Sequence, residues 1–179
     1  MKGIIFKEFL NMVEEKYGYE LVDKLILSSN LTNNGSYTSV GTYPHSEMVS
    51  LVTQLSTLTQ IPVAKLLEEY GKYAFKIFAE AYKNMFEGHT NTFSFLSSIE
   101  NHIHVEVLKL YPEAELPAIP VTEIDKNKMV MTYKSTRKMA DFAKGLIKGS
   151  LLHFNEKATI ELYPIKKDHS EVKIVITRK

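Results

Sequence analysis

Three prolines divide this chain into a helical part and a part that contains strands. Before the first of them, apolar residues recur at helical spacing, most clearly between Thr92 and Leu110. Pro112, Pro117 and Pro120 then prevent helix formation and predict an extended linker. Alternating strand patterns follow, with one helical stretch among them. Helices first and strands afterwards favour an α+β fold over a parallel α/β sheet.

The predicted elements follow from apolar spacing and from the residues that interrupt it. Helices are predicted over residues 2–17, 19–28, 45–58, 63–86, 92–110 and 137–152. Strands are predicted over residues 128–135, 158–165 and 170–177, the last two as a hairpin. Gly18 and Gly88 stand where helices end, and Gly71 is a position at which the fourth helix can bend or break. Residues 28–45 have the composition of a loop.

Composition excludes several classes of protein. The 179 residues include no cysteine, which removes thiolate metal sites, iron–sulfur clusters, thioether-linked haem and cysteine nucleophiles. A formal charge of +1 provides no electrostatic footprint for nucleic acid or an anionic membrane. No apolar run reaches the roughly 18 residues of a spanning helix, and the charged N-terminus is unlike a signal peptide. We expect one cytoplasmic domain over residues 1–179.

His104 is the histidine that invites a functional interpretation. His102 and His104 are two residues apart on a predicted helix, so they face nearly opposite directions and cannot both bind one metal ion. His102 lies on a solvated face. His104 lies close to the buried stripe, where it is either a hydrogen-bonded core histidine or a single axial ligand of a haem iron.

A second candidate is the segment from Tyr133 to Arg137. In an extended chain Tyr133, Ser135 and Arg137 point to one side, over roughly 13 Å. Two hydroxyls and a guanidinium suit a ligand with one or two carboxylates. The alternative is a strand end whose Ser135 or Thr136 caps the next helix, with Arg137 in solvent.

Several segments together resemble one known family. The chain begins MKGII, residues 99–111 read IENHIHVEVLKLY, and residues 133–137 fit a Y-x-S-x-R motif. In this order, and over essentially the whole chain, they resemble the haem nitric oxide/oxygen binding (H-NOX) family. The resemblance implies an N-terminal helical lobe of about residues 1–62 on the distal side of the haem. A lobe of about residues 63–179, with helices and an antiparallel sheet of about four strands, would lie on the proximal side.

The resemblance also assigns roles to individual residues. His104 matches the axial ligand of the iron in a non-covalently bound haem b, and Tyr133, Ser135 and Arg137 match the clamp on the haem propionates. Pro117 matches the proline that presses on the porphyrin. The residues that match the rest of the haem pocket, mostly on its distal side, are Ile5, Phe9, Ala74, Phe75, Phe78, Phe142 and Leu146.

The function implied is that of a nitric oxide sensor and not of an enzyme. Oxygen-binding relatives place a tyrosine where Phe142 stands, and Phe9 and Ala74 also lack a hydrogen-bond donor, so we expect binding of NO and CO but not O₂. NO weakens or breaks the iron–His104 bond, and the resulting change regulates a partner in trans, a sensor histidine kinase or a cyclic-di-GMP enzyme. The alternatives are a haem enzyme that handles NO or peroxide, disfavoured by the apolar distal residues, and a haem-free ligand-binding or interaction domain.

Overall fold

Seven α-helices and a four-stranded antiparallel sheet make up the protein in a computed structural model of residues 1–179. The helices are α1 (Gly3–Tyr17), α2 (Tyr19–Ser28), α3 (His45–Thr59), α4 (Val63–Ala81), α5 (Thr92–Ser97), α6 (His104–Leu110) and α7 (Ala140–His153). The strands are β1 (Val121–Ile124), β2 (Lys128–Lys134), β3 (Ala158–Pro164) and β4 (Glu171–Arg178). The predicted α+β class is therefore confirmed.

The chain divides into two units, Met1–Tyr70 and Gly71–Lys179. The first contains α1, α2 and α3, and their bounds agree with the predicted helices to within one residue. The assignment of two haem-facing lobes, about 1–62 and 63–179, stays a prediction. No helix of the protein combines the length and apolar character needed to cross a bilayer.

A buried carboxylate organises the loop of the first unit. The side chain of Glu47, at the start of α3, accepts hydrogen bonds from the backbone and hydroxyl of Thr32 and from the hydroxyl of Tyr37. The Tyr37 ring stacks on Phe6 of α1 at a centroid distance of 4.4 Å. Burial alone raises the pKa of the Glu47 carboxyl, but the hydrogen bonds outweigh it, and the net pKa lies below the ordinary value of 4.5. The ionised carboxylate therefore holds the loop against α1 and α3.

The sheet of the second unit has the strand order β1-β2-β4-β3, with every neighbouring pair antiparallel. The predicted β3–β4 hairpin is present, with Leu162 opposite Ile174. In β4, Val172, Ile174 and Ile176 are buried in alternation, which is the pattern that predicts a strand with one face on the core. β1 is an additional strand within the predicted linker. It pairs with β2, and the register of this pairing shifts between Val121 and Glu123.

The helix predicted over residues 92–110 does not exist as one α-helix. Its α-helical parts are α5 and α6, and between them Ile99–Ile103 forms a π-helical turn. Here the amides of Ile103 and His104 donate to the carbonyls of Ser98 and Ile99, five residues back. A π turn holds more residues than an α turn, so regular 3.6-residue spacing does not reveal it.

Two further helix predictions were wrong at their ends. The helix predicted over residues 63–86 is not broken at Gly71 but ends at Ala81, and a 3₁₀ turn, Lys83–Phe86, follows. The helix predicted from residue 137 begins three residues later, because Lys138 adopts a left-handed backbone with φ of 56°.

At Gly71 a Cβ atom would lie 2.2 Å from the carbonyl oxygen of Phe142. Glycine at this position therefore lets α4 approach the backbone of α7 closely.

Replacing Glu47 by alanine should destabilise the protein, since three donors from Thr32 and Tyr37 would lose a buried charged acceptor. We expect the free energy of unfolding at pH 7 to fall by about 2–4 kcal/mol, measured by urea denaturation. The difference between parent and variant should shrink as pH falls below 4.5 and the Glu47 carboxyl becomes protonated. Glu14→Ala, which removes an exposed carboxylate from α1, is the control and should change stability little.

Candidate functional site

His104 is the first residue of α6, directly after the π-helical turn. Its side chain is largely buried, with 17% of its surface exposed, and its Nδ1 lies 3.7 Å from Oε1 of Glu100. Burial lowers the pKa of the imidazole, and the Glu100 carboxylate offsets this only in part. His104 is therefore a neutral imidazole near pH 7, which is the form that binds metal ions. His102, by contrast, is exposed.

The proline-containing linker is fastened to the end of β2. Ala118 and Lys134 exchange two backbone hydrogen bonds, of 3.0 and 2.8 Å. The amide of the next residue, Ile119, donates to Oε1 of Glu100 at 2.5 Å. Pro117, the residue before this pair, is half-buried. The linker thus connects the turn that precedes His104 with the strand that leads to Tyr133.

Two hydroxyls at the end of β2 accept hydrogen bonds from the backbone. The buried Tyr133 accepts from the amide of Met139 at 2.9 Å, and Ser135 accepts from the amide of Arg137 at 3.2 Å. A hydroxyl that accepts in this way still has its own proton to donate. Both side chains can therefore position the turn and also bind an acceptor such as a carboxylate.

The sequence predicted an extended segment up to Arg137, but in the structure Arg137 lies in a turn. β2 ends at Lys134, and the following residues form a turn in which the amide of Lys138 donates to the carbonyl of Ser135. The guanidinium of Arg137 donates through Nη1 to the backbone carbonyl of Glu115 and through Nη2 to its carboxylate, at 2.7 Å for the latter. Its side chain is 17% exposed, whereas that of Glu115 is 88% exposed. Three of the five guanidinium donors remain for another acceptor.

The other predicted pocket residues lie in both units. Ile5 is half-buried and Phe9 fully buried on α1, within the first unit. In the second unit Ala74 and Phe75 are buried on α4. Phe78, Phe142 and Leu146 are half-buried, the first on α4 and the other two on α7. Phe75 also belongs to an aromatic cluster, with Phe86 and Phe95 at centroid distances of 5.5 and 5.7 Å. Their assignment to one pocket stays a prediction.

Sequence reasoning missed Glu100 and Glu115. Glu100 stands four residues before His104, a spacing that brings side chains together on a helix, and this is the signal that could have revealed it. Nothing in the local sequence indicates the contact of Glu115 with Arg137, because the two residues are 22 positions apart.

Comparison with known proteins decides the family. Residues 2–162 match the haem-NO-binding (H-NOX) family, which accounts for most of the chain. The chain belongs to the H-NOX family. H-NOX domains are haem-based gas-sensor domains, so the site described above belongs to a fold that binds haem.

Solved H-NOX structures agree with this fold over the whole chain. A crystal structure of the Fe(II) unliganded H-NOX protein from K. algicida is 46% identical, with a TM-score of 0.96 over 100% of this chain and 97% of that one. An H-NOX protein from S. oneidensis in the Fe(II)NO ligation state is 26% identical, with a TM-score of 0.90 over 100% and 99% of the two chains.

A longer relative carries a similar region. Soluble guanylate cyclase 89Da of Drosophila melanogaster is 27% identical over 139 residues. The match covers 76% of this H-NOX chain and 20% of the cyclase. The chain therefore spans about a fifth of the length of this relative.

Tyr133→Phe should destabilise the turn after β2, because the buried amide of Met139 would lose its acceptor. We expect the free energy of unfolding to fall by about 1–3 kcal/mol, measured by urea denaturation. Tyr163→Phe, at a half-exposed tyrosine of β3, is the matched control. Equal stabilities of the two variants would contradict a structural role for the Tyr133 hydroxyl.

Proposed function

We propose that this protein is a nitric oxide sensor that binds haem b non-covalently, with His104 as the axial ligand of the iron. The observation that carries the proposal is the largely buried, neutral imidazole of His104 at the start of α6. Its Nδ1 faces Glu100, so Nε2 is the ring nitrogen left for the iron. A single neutral imidazole from a helix suffices to hold a haem iron, as the proximal histidine of globins does.

The donors at the end of β2 fit the propionates of a haem. We propose that Tyr133 and Ser135 donate their hydroxyl protons to these carboxylates and that Arg137 adds its remaining guanidinium donors. Carboxylates only accept hydrogen bonds, and this cluster has unused donors but contributes a single carboxylate, that of Glu115. The chemistry of the residues thus fits the group that the family binds. Pro117, next to the Ala118 pairing, is the residue we propose to press on the porphyrin.

Ferrous haem, when bound, would supply an iron atom that binds diatomic gases, and NO would weaken or break its bond to His104. We propose that α6 would then move, because its first residue would have lost an anchor. Movement of α6 shifts the protein between two arrangements that a partner distinguishes. The relative named as a guanylate cyclase supports a signalling role. The partner we propose is a histidine kinase or a cyclic-di-GMP enzyme.

Selectivity for NO and CO over O₂ would follow from the distal side chains. Phe9, Ala74 and Phe142 carry no hydrogen-bond donor. Binding of O₂ to ferrous haem would depend on a hydrogen-bond donor in the pocket, whereas binding of NO or CO would depend on one much less. We therefore propose that the protein does not bind O₂ at ordinary oxygen tension.

His104→Ala tests the axial ligand. We expect the ferrous absorption spectrum of the haem protein to lose its five-coordinate signature and added imidazole to restore it. His102→Ala is the matched control, since His102 is exposed in the same region, and its spectrum should equal that of the parent. A five-coordinate spectrum in His104→Ala without imidazole would contradict the assignment. Absence of a Soret band from the parent after reconstitution would favour a haem-free domain.

Phe142→Tyr tests the donor argument separately. The ferrous parent should show no stable spectral change in air, whereas the variant should show one, because the new hydroxyl supplies a donor. Phe154→Tyr, which adds a hydroxyl to a half-buried ring after α7, should behave as the parent does. A stable spectral change of the parent in air would refute the proposed exclusion of O₂.

A further inference from the structure

One oxygen of Glu100 contacts two segments that are distant in sequence. Oε1 lies 3.7 Å from Nδ1 of His104, and the same atom accepts the hydrogen bond from the amide of Ile119 at 2.5 Å. Ile119 follows Ala118, which is paired with Lys134 of β2. The Glu100 carboxylate therefore stands between the His104 imidazole and the linker that contains Pro117.

We propose that Glu100 is a positioning residue: it orients the imidazole of His104 toward the iron and couples His104 to the Pro117–Ile119 segment. The inference rests on the proposed role of His104 as axial ligand. A histidine that binds a metal commonly directs its other ring nitrogen at a carboxylate or carbonyl, which sets the orientation of the ring and strengthens it as a ligand. Glu100 occupies this place relative to Nδ1 of His104.

Neighbouring carboxylates are already engaged by cations. Glu106 pairs with Lys109 at 2.6 Å, and Glu115 pairs with Arg137 at 2.7 Å. Glu100 makes no ion pair with lysine or arginine, and its charge is directed at His104 and at the Ile119 amide. It is thus the carboxylate whose removal changes the environment of the imidazole most.

Few other backbone groups near Ile119 could replace its hydrogen bond to Glu100. Between Pro117 and Pro120 the chain has only two amide N–H groups, because proline has none. That of Ala118 donates to Lys134, and that of Ile119 donates to Glu100. Displacement of His104 on release from the iron would disturb Glu100 and with it the hydrogen bond to the Ile119 amide, two residues after Pro117, the proline proposed to press on the porphyrin.

Glu100→Gln and Glu100→Ala separate the two contacts in the haem-loaded protein. Glutamine keeps an oxygen that accepts from the Ile119 amide but removes the charge beside Nδ1, whereas alanine removes both. The iron–histidine stretching frequency, from resonance Raman spectra of the ferrous protein, should fall in both variants. Hydrogen exchange of the Ile119 amide should accelerate in Glu100→Ala and stay near the parental rate in Glu100→Gln. Haem transfer to an apomyoglobin scavenger should be about tenfold faster in Glu100→Ala.

Glu106→Gln is the matched control, because it neutralises a carboxylate two residues after His104 that does not face the imidazole. Its stretching frequency should equal that of the parent. An unchanged frequency in Glu100→Gln would overturn the positioning role, and an unchanged Ile119 exchange rate in Glu100→Ala would overturn the coupling.

His104→Ala distinguishes failure of this inference from failure of the proposed function. If the iron–histidine band disappears in His104→Ala but is unshifted in the Glu100 variants, His104 remains the ligand and the role of Glu100 is wrong. If the band persists in His104→Ala, the ligand assignment is wrong and the role of Glu100 is overturned with it.

Discussion

The candidate site depends on the two backbone hydrogen bonds between Ala118 and Lys134. Prolines on both sides prevent the linker from forming a regular strand. Ala118 pairs with β2 through both its amide and its carbonyl, whereas Pro120 only accepts a hydrogen bond, from the amide of Thr132. This pairing lies beside Tyr133 and sets the course of the chain through Pro117 and Ile119. His104, Pro117 and Tyr133 therefore share one framework, in which the linker, the end of β2 and the turn before α6 are connected.

The structure matches neither interpretation of the Tyr133–Arg137 segment in full. Ser135 accepts a backbone amide within the turn before α7 but does not cap this helix, whose N-cap is Met139, and the Tyr133 hydroxyl accepts from the amide of Met139. Neither contact uses the hydroxyl proton, which remains for a carboxylate. Arg137 is not in solvent, since Glu115 already engages two of its donors. One set of side chains can thus shape the turn and bind a ligand.

Much of the fold was predictable because it follows from local patterns. The apolar spacing of α1, α2 and α3 and the alternation of β2, β3 and β4 correspond to buried faces in the structure. The family resemblance was confirmed, and it rested on residues spread over the chain. The sequence did not predict β1, because this four-residue strand is stabilised by its pairing with β2 more than by its own sequence.

The site was less predictable, because its contacts join residues far apart in sequence. The bond from Ile119 to Glu100 spans 19 positions and that from Arg137 to Glu115 spans 22. No periodicity within one segment encodes such pairs. The sequence pointed to His104 and to the three residues of the Y-x-S-x-R motif. The four-residue spacing indicates the contact of Glu100 with His104, whereas the contacts of Glu100 with Ile119 and of Glu115 with Arg137 depend on the folded chain.

The π-helical turn before His104 has an evolutionary meaning. Such a turn is what a helix forms when it absorbs one inserted residue without unfolding its ends. Removal of one residue from Ile99–Ile103 would restore a plain α-helix from α5 to α6. Because the turn absorbs the extra residue, His104 would keep nearly the same direction about the helix axis after this deletion. Relatives can therefore lose one residue within this turn and still carry a histidine at the same place relative to α5 and α6.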